Sequence, residues 1–183
     1  MGERAGMLID VPAGRALADF TESLEFVWDR VRSRLDDLGD DEYLWEPVAG
    51  CWSVRPGTPP TVDRVVPDPT PAPVTTIAWR TWHIAVECLD DYAHRAFDTK
   101  GLDLGDGEWY LTAGEAREAL DRAWSSFRDG CASLGDEGLW RSLGPAFGPF
   151  ADSTYAAMLL HCQDELSHHG AEVALLRDLW AHR

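Results

Sequence analysis

Six ligand-type side chains crowd one stretch near the end of the chain: His161, Asp164, Glu165, His168, His169 and Glu172. Histidine and carboxylate bind divalent metal ions and move protons near neutral pH. The flanking residues read as a helix, so spacing decides which of the six share a face. At about 100° per residue, Met158, Cys162, Glu165, His169, Val173, Leu176 and Trp180 fall on one stripe. All but Glu165 and His169 are apolar. A carboxylate in a core position is costly unless it is paired or bound to a metal. Glu and His at i, i+4 project side by side, the spacing for two ligands of one ion. A Glu165–His169 pair satisfied by hydrogen bonds alone is the plain alternative. Asp164 and His168 repeat the spacing one residue earlier, so both registers stay open.

A third candidate ligand, His83, lies among Trp79, Trp82 and Val86 in another helical stretch. Two histidines and one carboxylate leave coordination positions free, which suits a catalytic Zn²⁺, Ni²⁺ or Fe²⁺. His161 and His168 flank the pair and are the expected catalytic side chains, either orienting the ligands from outside or handling protons. Gly170 and Ala171 follow His169 and are expected to leave room beside the helix. His94 and His182 sit near helix ends and are expected to face solvent. Trp45 and Trp52 are candidates for a pocket wall. No nucleophile elbow and no glycine-rich phosphate loop is present.

Four helical stretches must position these groups. The first runs from Ala13 to Leu38, with Leu17, Phe20, Leu24, Val27, Val31 and Leu35 on one face. The second runs from Thr75 to Phe97. The third runs from Thr112 to Leu134, opened by a Thr112-x-x-Glu115 capping pattern and closed by Gly135. The fourth runs from Asp152 to Trp180, with Asp152 or Ser153 as N-cap. Asp40 to Trp45 suits a short helical turn. Pro47 to Val74 is too rich in proline for helix and reads as a long loop, with a lid or pocket wall as its functional alternative. A second irregular stretch, Gly144 to Phe150, links the last two helices. No period-2 run is long enough to build a sheet. The expectation is therefore an all-α chain: one four-helix-bundle domain over residues 1–183, with a long Pro-rich loop between the first two helices.

Composition narrows the function classes. The 183 residues carry 16 basic and 32 acidic side chains, a formal charge of −16. Such a surface repels phosphate backbones and anionic lipid, so neither nucleic acid nor a membrane is an expected partner. No run approaches the roughly 18 apolar residues of a membrane helix. Met1 to Asp10 shows no signal-peptide pattern. The four cysteines, Cys51, Cys88, Cys131 and Cys162, form no CxxC pair and read as thiols in a reducing cytoplasm.

Three blocks together resemble the DinB-like superfamily of metalloenzymes. The run His161-x3-Glu165-x2-His168-His169, continuing through Gly170-Ala171-Glu172, is similar to that family's last helix. Trp45-Glu46-Pro47 through Trp52-Ser53-Val54-Arg55 is similar to its turn after helix one. Thr75 to Ile84 is similar to its second helix, where the first metal-binding histidine lies. The resemblance implies a four-helix bundle with an unusual connection order and a metal site of His83, Glu165 and His169. The E-x3-H pair is similar to that of mycothiol-dependent maleylpyruvate isomerases. Those relatives and the bacillithiol transferases use a low-molecular-weight thiol as co-substrate. The implied function is a thiol-dependent S-transferase or isomerase acting on a small electrophile, as monomer or homodimer. A non-catalytic bundle and a metal-dependent hydrolase without thiol are the alternatives.

The stripe argument predicts that Glu165→Gln lowers metal content more than Asp164→Asn, because Asp164 lies about 100° off the apolar face. Elemental analysis of the two variants checks it, and the reverse order moves the pair to Asp164 and His168.

Overall fold

The computed structural model describes residues 12–67 and 69–183. The reading of Met1 to Asp10 lies outside them. In chain order the helices are α1 (Arg15–Ser33), α2 (Asp40–Tyr43), α3 (Ile77–Trp82), α4 (Asp91–Phe97), α5 (Ala113–Ala132), α6 (Gly135–Gly138) and α7 (Tyr155–Ala181). A π-helical segment, His83–Asp90, joins α3 to α4, so residues 77–97 form one long rod. A 3₁₀ turn, Pro145–Phe150, precedes α7. The described residues are mostly helical.

Helix α1 packs against α7 and α5, and the 77–97 rod packs against α5 and α7. One apolar core fills the space between them, with Leu24, Val31, Ile84, Leu89, Leu120, Phe127, Leu159 and Leu166 almost fully buried. Trp28 of α1 and Trp124 of α5 stack with centroids 4.7 Å apart and planes 8° from parallel.

Distant side chains satisfy the helix ends, which would otherwise leave backbone groups unpaired. Asp136 accepts hydrogen bonds from the N–H groups of Gly14 (2.7 Å) and Leu17 (2.8 Å) at the start of α1. These backbone donors hold its carboxyl below the ordinary range. At the other end, Arg177 donates to the carbonyls of Arg34 and Asp36, both at 2.7 Å, and pairs with buried Glu42 at 2.9 Å. Thr112 caps α5, its hydroxyl oxygen accepting from the Glu115 N–H. The cap of α7 is Thr154, two residues beyond Asp152 and one beyond Ser153, the two expected caps. Thr154 pairs with Ser142 as an isolated bridge, which holds its extended backbone while its side chain accepts from the Ala157 N–H.

Two expectations need correction. The segment between α2 and α3 contains a small antiparallel pair, β1 (Val54–Arg55) with β2 (Thr61–Val62). Its inward residues Cys51, Ser53, Val54 and Val62 are buried, so part of this proline-rich stretch belongs to the core rather than to a surface loop. Two-residue strands are too short to show as period-2 alternation. Second, the room beside the helix that Gly170 and Ala171 line lies on the α1 side of α7 and not at the histidines. Gly170 faces Val31 across the α1–α7 seam, where a Cβ would lie 2.5 Å from Val31 Cγ2.

That close approach predicts that Gly170→Ala destabilises the fold by about 1–3 kcal/mol, the usual cost of overpacking. In a double-mutant cycle read by denaturant unfolding, Gly170→Ala with Val31→Ala should cost less than the two single changes summed. Additivity would show that the seam is not the source of the strain.

Candidate metal centre

Two elements carry the site. The α3 cap begins one of them: the Thr76 hydroxyl oxygen accepts from the Trp79 N–H at 3.3 Å, and Thr76 donates to the Ser53 hydroxyl at 3.0 Å. The indole of Trp79 donates to the Asp63 carbonyl at 2.7 Å and stacks on His83, with centroids 5.4 Å apart. His83 is the first residue of the π segment. A π turn holds an extra residue, and such turns are common at functional sites. The other element is α7, which places Glu165 and His169 on its buried side.

The folded chain brings His83, Glu165 and His169 together. Glu165 Oε2 lies 3.2 Å from His83 Nε2 and 3.1 Å from His169 Nε2. One ligand atom from each residue fits within a 4.8 Å sphere of mutual distance. His169 is 7% exposed, and the other two are partly buried.

Each histidine is backed by a carboxylate. His83 Nδ1 is 2.6 Å from Glu87 Oε2, and His169 Nδ1 is 2.8 Å from Glu172 Oε2. An ionised carboxylate only accepts, so each Nδ1 donates and each Nε2 is left with its lone pair turned towards Glu165. Two ring lone pairs and a carboxylate oxygen then face one another. That arrangement needs positive charge at its centre, either a proton on each ring or one shared cation. The residues therefore fit a divalent ion, and the outer carboxylates are the usual orienting partners of metal-binding histidines.

Each outer carboxylate is in turn met by an arginine. Arg64 Nη2 lies 4.0 Å from Glu87, and Arg80 Nε lies 2.7 Å from Glu172 Oε2. Burial opposes the charge of Glu172, but the His169 hydrogen bond and the Arg80 cation outweigh it and hold the carboxyl below its ordinary range. Glu165 behaves alike: burial opposes its charge, and His169, His83 and His161 overcome that opposition.

The flanking histidines differ. His161 is exposed, within hydrogen-bond reach of the Tyr92 hydroxyl at 2.8 Å, and its Nε2 is 3.8 Å from Glu165 Oε1. His168 points outward, stacks on the His169 ring and approaches Glu172 at 3.4 Å. Asp164 and His168 are both exposed, so the second register is not brought to His83. His94 and His182 are exposed as expected. Trp52 lines the cavity over the centre, whereas Trp45 packs on Trp180 away from it.

That cavity has a volume of about 280 Å³. Its floor is His83 and His169, and its sides include Trp52, Trp79 and Trp82. Val65, Val66, Ala72 and Pro73 close it, so the proline-rich segment is a pocket wall. Glu87, Tyr92, Arg64 and Arg80 were not legible as site residues in the sequence. His83-x3-Glu87 repeats the spacing that singled out Glu165 and His169, and would have found Glu87. Arg64 has no local signal.

A family model described as the DinB superfamily matches residues 23–173, and the chain belongs to that superfamily. Its fold is similar to the crystal structure of a conserved protein from Enterococcus faecalis, with a TM-score of 0.59 and 15% identity over 91% of this chain and 97% of the other. No curated protein matches the sequence. No described helix is long and apolar enough to cross a membrane.

The depressed carboxyl of Glu172 makes a pH prediction for metal-free protein. A carboxyl held low in the folded state adds stability above its unfolded value of about 4.3 and loses it as pH falls through the folded value. The melting temperature of Glu172→Gln should therefore lie below that of the wild type at pH 6, and the gap should close below about pH 4. A gap that persists in acid would trace the loss to packing instead.

Proposed function

We propose that this DinB-superfamily chain is a metal-dependent transferase or isomerase that joins a low-molecular-weight thiol to a small electrophile. His83, Glu165 and His169 would hold one Zn²⁺, Ni²⁺ or Fe²⁺. The single observation that carries this reading is the meeting of Glu165 Oε2 with two Nε2 atoms whose rings are already committed at Nδ1. Once bound, the ion lowers the pKa of a thiol and polarises an electrophile. The four long helical segments are read as one four-helix-bundle domain of DinB-like order.

The chain's own residues supply the rest. Glu87 and Glu172 fix the imidazole tautomers and aim each Nε2 at the centre. His161 is exposed, with Nε2 3.8 Å from Glu165 Oε1, and from there it can take the proton that a thiol gives up and pass it to solvent. The Tyr92 hydroxyl holds the ring of His161 in place. His168, turned away from the cavity, serves His169 and Glu172 rather than substrate. Trp52, Val65, Val66 and Pro73 give the cavity an apolar wall beside the two histidines. The protein's own thiols are no substitute for a co-substrate: burial pushes Cys131 and Cys162 up, away from the nucleophilic thiolate form.

Purified protein should hold about one divalent ion per chain, lost in His83→Ala and in His169→Ala; full occupancy in both variants would remove the site. In Co²⁺-substituted protein, a thiol bound at the ion should change the visible spectrum. Thiol consumption with a generic electrophile should fall as acid protonates the two histidines, since imidazolium cannot bind a metal. His161→Gln should slow turnover at unchanged metal content. A cobalt spectrum indifferent to mycothiol, bacillithiol, cysteine and glutathione would favour thiol-free hydrolysis, and a metal-free wild type would favour a non-catalytic bundle.

A further inference from the structure

The cavity over the three ligand residues is cationic in a chain whose formal charge is −16. Two arginines line it, Arg64 and Arg80. Each lies against an indole: Arg64 is 5.8 Å from the Trp82 ring centroid and Arg80 is 5.1 Å from that of Trp79. Among the residues that line it, these two guanidiniums face one carboxylate, Glu87, whereas Glu165 and Glu172 are not part of the lining. Asp106 also pairs with Arg64, but it is 96% exposed and screened by water.

Arg80 is the more telling of the two. Its side chain is 13% exposed. Its Nε is buried and has no hydrogen-bond partner among the described residues. The contact with Glu172 at 2.7 Å is ionic, out of line for an N–H···O bond. Burial lowers its pKa, with Glu172 and Glu165 opposing the loss of charge. A buried cation with an unspent Nε–H is costly, and an anion that accepts from it relieves that cost. Guanidinium matches carboxylate in shape, because its planar fork can donate two parallel bonds.

We infer that the Arg64–Arg80 side of this cavity is a carboxylate subsite, and that the electrophile is a small aromatic carboxylate whose ring lies among Trp52, Trp79 and Trp82. This deepens the proposed function and rests on its reading of the cavity as the substrate side of the metal centre. The carboxylate belongs at the arginines and the ring among the indoles. The reacting atom is then held towards His83 and His169.

Benzoate and its neutral analogue benzamide are the probes, titrated against the full chain with and without added metal and followed by tryptophan fluorescence. Benzoate should bind at least about tenfold more tightly than benzamide, the worth of one charge-assisted hydrogen bond. Arg80→Met and Arg64→Met should each erase most of that preference and leave benzamide binding unchanged, and Arg80→Lys should restore part of it. Arg64→Met guards against a fold lost through Glu172, since Arg64 does not touch that carboxylate. The preference should persist in metal-free protein. Equal binding of the two probes would overturn the subsite. So would a benzoate preference that ignores both arginines and vanishes with the metal, because the carboxylate would then sit on the ion. Failure of the metal reading shows separately, as a chain that holds no ion yet still prefers benzoate through the arginines.

Discussion

One carboxylate oxygen, Oε2 of Glu165, sits within hydrogen-bond distance of two imidazole nitrogens, and much of the surrounding structure answers to it. Bringing these groups out of water is costly unless charge is balanced within the cluster. The balance is built in series on both sides. His83 leads to Glu87 and then Arg64; His169 leads to Glu172 and then Arg80. Each Nδ1 donates to a carboxylate that only accepts, which fixes the ring proton, and the arginines balance those carboxylates by charge. The outcome is two Nε2 lone pairs aimed at one carboxylate oxygen, the arrangement that makes these residues a candidate metal centre.

The same balance explains where positive charge is placed in an acidic chain. Of the chain's 16 basic residues, two stand at the cavity and are held there by aromatic faces as well as by carboxylates. The net surface charge repels polyanions, while two guanidiniums stand together at the cavity beside His83 and His169.

Holding this cluster requires a rigid frame, and the frame is set by packing rather than by the ligands. Gly170 lets α7 approach Val31 of α1 on the face away from the cavity. Trp79 is fixed at its indole N–H by Asp63, and so presents a flat face to His83. The strand pair β1–β2 and the Ser53–Thr76 hydrogen bond tie the proline-rich segment down, which turns a stretch without helix into a wall beside the candidate metal centre. Because that wall is anchored by buried Val54 and Val62, its position is coupled to the core.

Local sequence determined the helical stretches, the caps at Thr112 and near Thr154, and the two polar breaks in the α7 stripe. These depend on periodicities of a few residues, which survive in the one-dimensional chain. The i, i+4 spacing of Glu165 and His169 is such a feature, and so is that of His83 and Glu87. The choice between Glu165–His169 and Asp164–His168 needed the stripe as well as the spacing, and the fold separates them by exposure. Only tertiary structure decided that His83 meets Glu165, 82 positions away. It alone placed Arg64 beside Glu87, set Tyr92 against His161 and folded the proline-rich segment over the site. Contacts of that kind depend on how helices approach one another in three dimensions, and no short-range pattern in the chain encodes the distance between two helix faces.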